Sequence, residues 1–444
     1  MVAAPKMEKR ARCFSFANCQ YEPASGVANL VYEVDGERLQ ETITFPWAPW
    51  PVDASRQAAF SKALHLLHLV AGISYYKAGL ALRIEAAVDE TFAHFLDELY
   101  EQGLAEFAYV NDLDLSGVIS FPGGRHRIPA PVEVDLPERA LVAMGGGKDS
   151  LVCLRLLQSA DIEVQPVCVG GSELIGETVK TAGLPLIRIE RKLAGGLLEM
   201  NAAGAWNGHV PVTAINSAIL LAASLLYGYR YIVFANESSA DEATLTNTQG
   251  REVNHQYSKS LGFEKSFREL VRNTVSGSVE YFSLLRPFSE AAITCRFAQM
   301  TEFHPVFSSC NRNFHQDGSH IEGRWCRDCP KCRFTALALA PFMDPVQLLS
   351  IQGADLLDDE RQLPGFEDLC GVGKHKPFEC VGSISECRAL VKFLSGQDDW
   401  RDKFIVAALA EQEEIDQAGG LELEPDTGAE HCIPASIMDK INAF

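Results

Sequence analysis

The chain has 444 residues, 47% hydrophobic and 22% charged, room for roughly two to four domains and a sizeable core. Its formal charge of −20 argues against a nucleic-acid partner, because neutralising phosphates takes a basic surface. No run reaches the ~18 consecutive apolar residues of a membrane span, residues 1–12 carry charges with no apolar stretch behind them, and thirteen cysteines is an odd count, so a cytoplasmic chain with reduced or metal-bound thiols is expected rather than a disulfide framework.

Residues 1–130 read as an α+β domain. Residues 27–34 and 39–45 alternate as strands joined at Asp35-Gly36, a prolyl-tryptophan segment with Trp47 and Trp50 follows, and a helix runs from 54 to 69 behind Asp53 or Ser55 as cap. The tryptophans suit stacking on a base or packing in a seam. A proline-rich linker at 129–137 leads into strands at 141–144, 164–169, 186–190 and 231–235, with helices at 150–159, 173–182 and 212–227 among them. That alternation predicts a doubly wound parallel sheet over 138–305, with ligands at the carboxyl ends of its strands. Two candidate ligand loops fall there, Gly145-Gly146-Gly147-Lys148-Asp149-Ser150 and Asn236-Glu237. In the first, a strand, three glycines and a helix start would aim backbone N–H groups at an anion, with Lys148 adding charge and Asp149 helping to hold magnesium. The spacing is not that of a Walker loop. It resembles the phosphate loop of the PP-loop ATP pyrophosphatases, with Gly145 where those enzymes usually carry serine; the resemblance implies a HUP-type α/β fold that cleaves ATP between its α and β phosphates.

Residues 306–340 form a cysteine knuckle. Cys326, Cys329 and Cys332, with Cys310 upstream, have the spacing of a tetrathiolate site for structural zinc. The arrangement is similar to the knuckle of 7-cyano-7-deazaguanine synthase, another PP-loop enzyme. Residues 341–444 form a C-terminal, helical and substrate-binding region. Within it Lys374, His375 and Lys376 could grip an anionic substrate, and Cys380 or Cys370 could move a proton. Residues 404–439 lack Lys and Arg and read as a solvated face or mobile tail. Upstream, Asn254-His255-Gln256-Tyr257-Ser258-Lys259 is too polar for core and reads as a crevice loop, and His209 is either a phosphate contact or structural.

Loop and knuckle together indicate an adenylating enzyme. The whole-chain pattern, from Thr44-Phe45-Pro46 through both loops, the 254–259 segment and the knuckle to the 376–382 segment, resembles the ATP-dependent UDP-N-acetylmuramoyl-L-alanyl-L-glutamate epimerases of peptidoglycan synthesis. The resemblance implies inversion of a terminal L-glutamate on a nucleotide-sugar dipeptide, with ATP and magnesium. It implies phosphate contacts from Gly145, Gly146, Gly147, Lys148, Asp149 and Ser150, with Asn236 and Glu237 near the adenylate. His255 is the first choice of α-proton base and Cys380 the second; Gln256, Lys259, Lys374 and Lys376 would hold the substrate. The alternative is a tRNA- or base-modifying PP-loop enzyme. No protein partner can be inferred.

Overall fold

A computed structural model describes residues 10–124, 130–246, 250, 252–313, 321, 323–373 and 376–441. Its strands are β1 (Cys13–Glu22), β2 (Val27–Val34), β3 (Glu37–Thr44), β4 (Arg83–Glu85), β5 (Arg139–Ala143), β6 (Glu163–Val169), β7 (Ile187–Lys192), β8 (Tyr231–Phe234), β9 (Leu245–Thr246), β10 (Glu252–Val253) and β11 (Glu280–Ser283). The chain divides into two compact units, each assembled from separated stretches. The first comprises Met1–Leu141, Ile187–Ile232 and Asn247–Phe282; the second comprises Val142–Leu186, Val233–Thr246 and Ser283–Phe444.

In the first unit β1, β2 and β3 form an antiparallel meander that extends to antiparallel β7 on one side and parallel β4 on the other. The expected hairpin turn is Asp35-Gly36, at φ 50° and 88°, which pairs Val34 with Glu37. Two left-handed residues match the twist of the flanking strands, which is why Asp-Gly closes this hairpin. The predicted helix spans Ala54–Ala71, and Asp53 rather than Ser55 caps it by accepting from the Arg56 amide at 2.9 Å. It packs on the Val212–Tyr227 helix, whose last carbonyls, Leu225 and Leu226, accept from the Arg56 guanidinium at 2.9 and 2.6 Å. A cation at a helix C-terminus satisfies orphan carbonyls and the dipole together. Trp50 meets Tyr21 and Phe60 edge-on, whereas Trp47 remains 86% exposed.

Towards the second unit the strands run in the order β11-β8-β5-β6, and the Lys148–Ser159 helix links β5 to β6. The fold class is mixed α/β, as the alternation of elements indicates. Of the two readings of residues 404–439, the solvated face fits and the mobile tail does not: its acids are exposed, Ile405, Val406, Leu409, Ile415, Cys432, Ile433 and Ile437 are buried, and the Ala435–Ile441 helix packs against the Lys148–Ser159 helix. The charge run hides an apolar face because its acids occupy the positions between those side chains.

Candidate functional site

The glycine loop leaves β5 in the second unit. Only Gly146 takes a left-handed conformation, at φ 80°; Gly147 is extended and caps the Lys148–Ser159 helix. Three glycines permit positive φ, and Gly146 uses it, while Gly147 and Gly145 differ in the space around them. A Cβ on Gly147 would stand 2.9 Å from Ser309 Oγ, whereas one on Gly145 would meet nothing within 4 Å. The open space at Gly145 explains how related loops accommodate serine there. The Ser308 amide donates to the Gly146 carbonyl at 3.2 Å, and Ser150 Oγ donates to the Gly147 carbonyl at 3.1 Å, so the turn is held from both sides. The N-cap of the Lys148–Ser159 helix, Gly147, has no side chain with which to cap it, so a first-turn amide and the positive end of the dipole can meet an anion.

Beside the loop lies an excess of carboxylates. Lys148 is 3% exposed; its Nζ pairs with Asp149 at 2.5 Å and with buried Glu290. Burial opposes its charge, but Asp149 and Glu290 outweigh that and raise its pKa. Burial, with Asp149, Glu237 and Glu386 nearby, pushes Glu290 well up despite Lys148. Burial first, then Glu386 and Asp149, push the Glu237 carboxyl up to about 7, while Ser239 donates to it through its amide and its hydroxyl. Glu386 accepts from the Glu290 amide at 2.8 Å, Arg286 donates to the Glu237 carbonyl at 2.9 Å, and Asn236 donates to Ser283 Oγ at 3.0 Å. Where these carboxyls are ionised they would repel a polyphosphate unless a divalent cation intervened, and carboxylate oxygens are the donors that magnesium takes.

The knuckle cysteines converge in the same unit. The Sγ atoms of Cys310, Cys326, Cys329 and Cys332 lie within 4.8 Å of one another, with Cys329–Cys332 at 3.5 Å and Cys326–Cys332 at 3.7 Å. Hydrogen bonds from Cys329 and Cys332 hold the Cys310 thiol down at about 3. Four sulfurs around one point fit a tetrahedral zinc ion. Also in this unit, Lys376 is buried against Glu242, Cys380 is half-buried, and burial pushes the Cys370 thiol up to about 12, which makes it a poor base. Lys374 and His375 lie outside the described residues.

His255, Gln256 and Lys259 belong to the first unit. The expectation that the 254–259 segment is too polar to be buried is corrected here. Gln256 and Ser258 are buried, and Tyr257–Lys259 forms a short 3-10 turn packed on the Glu90–Gly103, Val212–Tyr227 and Leu261–Thr274 helices. Its polar atoms tolerate burial because they are paired: the Gln256 amide donates to Asn254 Oδ1 at 2.7 Å, and Tyr257 hydrogen-bonds Glu98. His255 Nδ1 pairs with Glu106 Oε2, the same oxygen that faces His209 Nδ1 at 3.3 Å, and the two imidazole centroids are 4.7 Å apart. Burial first, then His255 and Lys259, lower His209 to about 4 against the pull of Glu106.

Sequence reasoning missed Glu106, Glu290 and Glu386. Glu106 reads as an ordinary helical acid, Glu290 follows the cap Ser289 as first-turn acids do, and Glu386 completes a capping box with Ser383. Each has a local explanation that conceals its place beside a site.

These parts define an α/β enzyme with a glycine loop at a helix start, a carboxylate cluster beside it, a four-thiol knuckle and a histidine–carboxylate centre. Residues 6–284 match the MurL N-terminal domain and residues 306–422 the MurL C-terminal domain. Three relatives carry the name UDP-N-acetyl-alpha-D-muramoyl-L-alanyl-L-glutamate epimerase. The one from Xanthomonas oryzae pv. oryzae is 42% identical over 438 residues, 97% of each chain. Those from Micromonospora sp. and Salinispora tropica are 40% and 39% identical, covering 91% and 90% of this chain and 91% and 89% of theirs. The chain belongs to the MurL family of epimerases.

Proposed function

We propose that this chain inverts the terminal L-glutamate of UDP-MurNAc-L-Ala-L-Glu to D-glutamate, consuming ATP, as a cytoplasmic step in peptidoglycan precursor synthesis. The observation that carries the reading is similarity at 42% identity along 97% of the chain to a relative of that name. The chemistry supplies a reason for ATP. A carboxylate resists α-deprotonation because the carbanion would stack negative charge on negative charge. Adenylation with loss of pyrophosphate removes that penalty; a moderate base then takes the α-proton, the planar carbon is reprotonated on its other face, and water releases the acid and AMP.

In this reading the fold is of PP-loop type, and the amides from Gly145 to Ser150 bind the phosphates. Lys148 holds the loop's carboxylates in place, and Asp149, Asn236 and Glu237 attend magnesium and the adenylate. The uncapped helix start and the carboxylate excess support those assignments. His255 is the α-proton base, with its Nδ1 held by Glu106, and Cys380 is the second choice. Gln256, Lys259, Lys374 and Lys376 contact substrate, and zinc braces the knuckle. The test is incubation with UDP-MurNAc-L-Ala-L-Glu, ATP and magnesium, followed by chiral analysis of released glutamate. One AMP and one pyrophosphate per D-glutamate are expected; AMP release with glutamate remaining L would sink the epimerase reading.

A further inference from the structure

Three segments far apart in sequence converge on one carboxylate oxygen, Glu106 Oε2. The Ala105–Val110 helix brings Glu106 itself. The loop after Trp206 brings His209, and it is pinned at Asn207: Asn111 donates to its carbonyl at 3.2 Å and Lys77 to its Oδ1 at 2.8 Å. Gly208 lets that loop approach the helix, since a Cβ there would stand 3.0 Å from the Phe107 ring. The third segment brings His255, between the Asn254 turn and the Ser260 cap of the Leu261–Thr274 helix. All three side chains are largely withdrawn from water, with Glu106 and His255 each 15% exposed and His209 25%.

We propose that Glu106 is the positioning residue of the α-proton transfer, fixing the His255 tautomer with its proton on Nδ1 and its lone pair on Nε2, and balancing the imidazolium that forms. The inference rests on the reading in which this chain abstracts a glutamyl α-proton. The α C–H bond breaks, its electron pair enters the acyl-adenylate carbonyl as an enolate, and the proton passes to His255 Nε2. A carboxylate on the opposite ring nitrogen stabilises that cation and sets the ring orientation, as an aspartate does behind the histidine of a catalytic triad. His209 shares the oxygen, yet burial keeps it neutral near pH 7, so the new charge resides on His255. Among the described residues, the charged and titratable groups around this centre include Glu106, His209, His255 and Lys259, with Lys77 on the His209 loop at Asn207 and Glu252 on the strand packed against the Glu106 helix.

The test compares wild type, Glu106→Gln and Glu106→Asp in two assays: substrate-dependent pyrophosphate–ATP exchange, which reads adenylation, and ATP-dependent α-deuterium uptake across pH 5–9. Glu106→Gln is expected to slow α-exchange by about 100-fold or more, on the scale of lost general-base catalysis, while pyrophosphate exchange stays within twofold. The acidic limb of its α-exchange profile should move to lower pH, because losing the carboxylate lowers the His255 pKa, and Glu106→Asp should recover part of both effects. An unmoved limb, α-exchange within threefold of wild type, or equal loss in both assays would overturn the proposal. So would loss of a bound transition-metal ion on Glu106→Gln, which would make the trio a metal site. A wild type that exchanges pyrophosphate but takes up no deuterium would instead refute the epimerase reading, and this inference with it.

Discussion

Replacing Lys148 by Met tests how the phosphate loop is held. Lys148 and Glu290 are 3% and 6% exposed, so water screens their attraction little. Removing the lysine leaves Glu290 buried among Asp149, Glu237 and Glu386, and losing one partner of such a pair costs about 3–5 kcal/mol. Glu290 can take up a proton in compensation, so the loss should sit near the lower end at pH 6 and grow toward pH 8. For a chain of 444 residues each kcal/mol moves Tm by about 1 °C, so a fall of about 3–5 °C is expected by differential scanning calorimetry. The double variant Lys148→Met/Glu290→Gln should recover part of it, with a coupling energy of about 2 kcal/mol. A single variant within about 0.5 kcal/mol of wild type, or a cycle that shows simple additivity, would refute the view that this buried pair organises the loop.

Glu237 predicts a pH effect of defined sign. Its carboxyl titrates at about 7 in the fold against an ordinary 4.5, so the folded state binds the extra proton between those values and stability falls as pH rises through that window. The full effect is about 3 kcal/mol, and Glu237→Gln should flatten the Tm profile between pH 5 and 8; an unchanged slope would remove Glu237 as its source. Gly146→Ala, at φ 80°, should cost about 1–2 kcal/mol in chemical denaturation, whereas Gly145→Ser should be neutral, because nothing lies within 4 Å of its Cβ. Equal costs at the two positions would contradict the geometry. Cys332→Ser should reduce zinc measured by elemental analysis from one ion per chain to near zero and lower Tm, and retention of the ion would show that it binds elsewhere.

Regular elements were legible because local chemistry specifies them. Asp35-Gly36 demanded a hairpin, and the apolar run at 212–227, ended by Gly228, demanded a buried helix. The glycine loop was legible for the same reason, since strand, glycines and helix start follow one another in the chain. What escaped is what long-range packing creates. Side chains along β1 do not alternate regularly between buried and exposed, because the register shifts between Phe16 and Asn18. The 254–259 segment looked too polar to pack because its partners, Glu98 and Glu106, lie some 150 residues away. The carboxylate cluster joins Asp149 and Glu237, both legible in their loops, to Glu290 and Glu386, which read locally as ordinary first-turn acids.

The most direct test of the central claim is solvent deuterium at the glutamyl α-carbon, read by mass spectrometry after reaction of UDP-MurNAc-L-Ala-L-Glu with the enzyme in D2O. With ATP and magnesium, deuterium should enter that carbon in step with the appearance of D-glutamate, and omission of ATP should abolish both. D-glutamate that forms without ATP, or ATP cleavage to AMP that leaves the α-carbon fully protonated, would contradict activation of the carboxylate as the means of inversion.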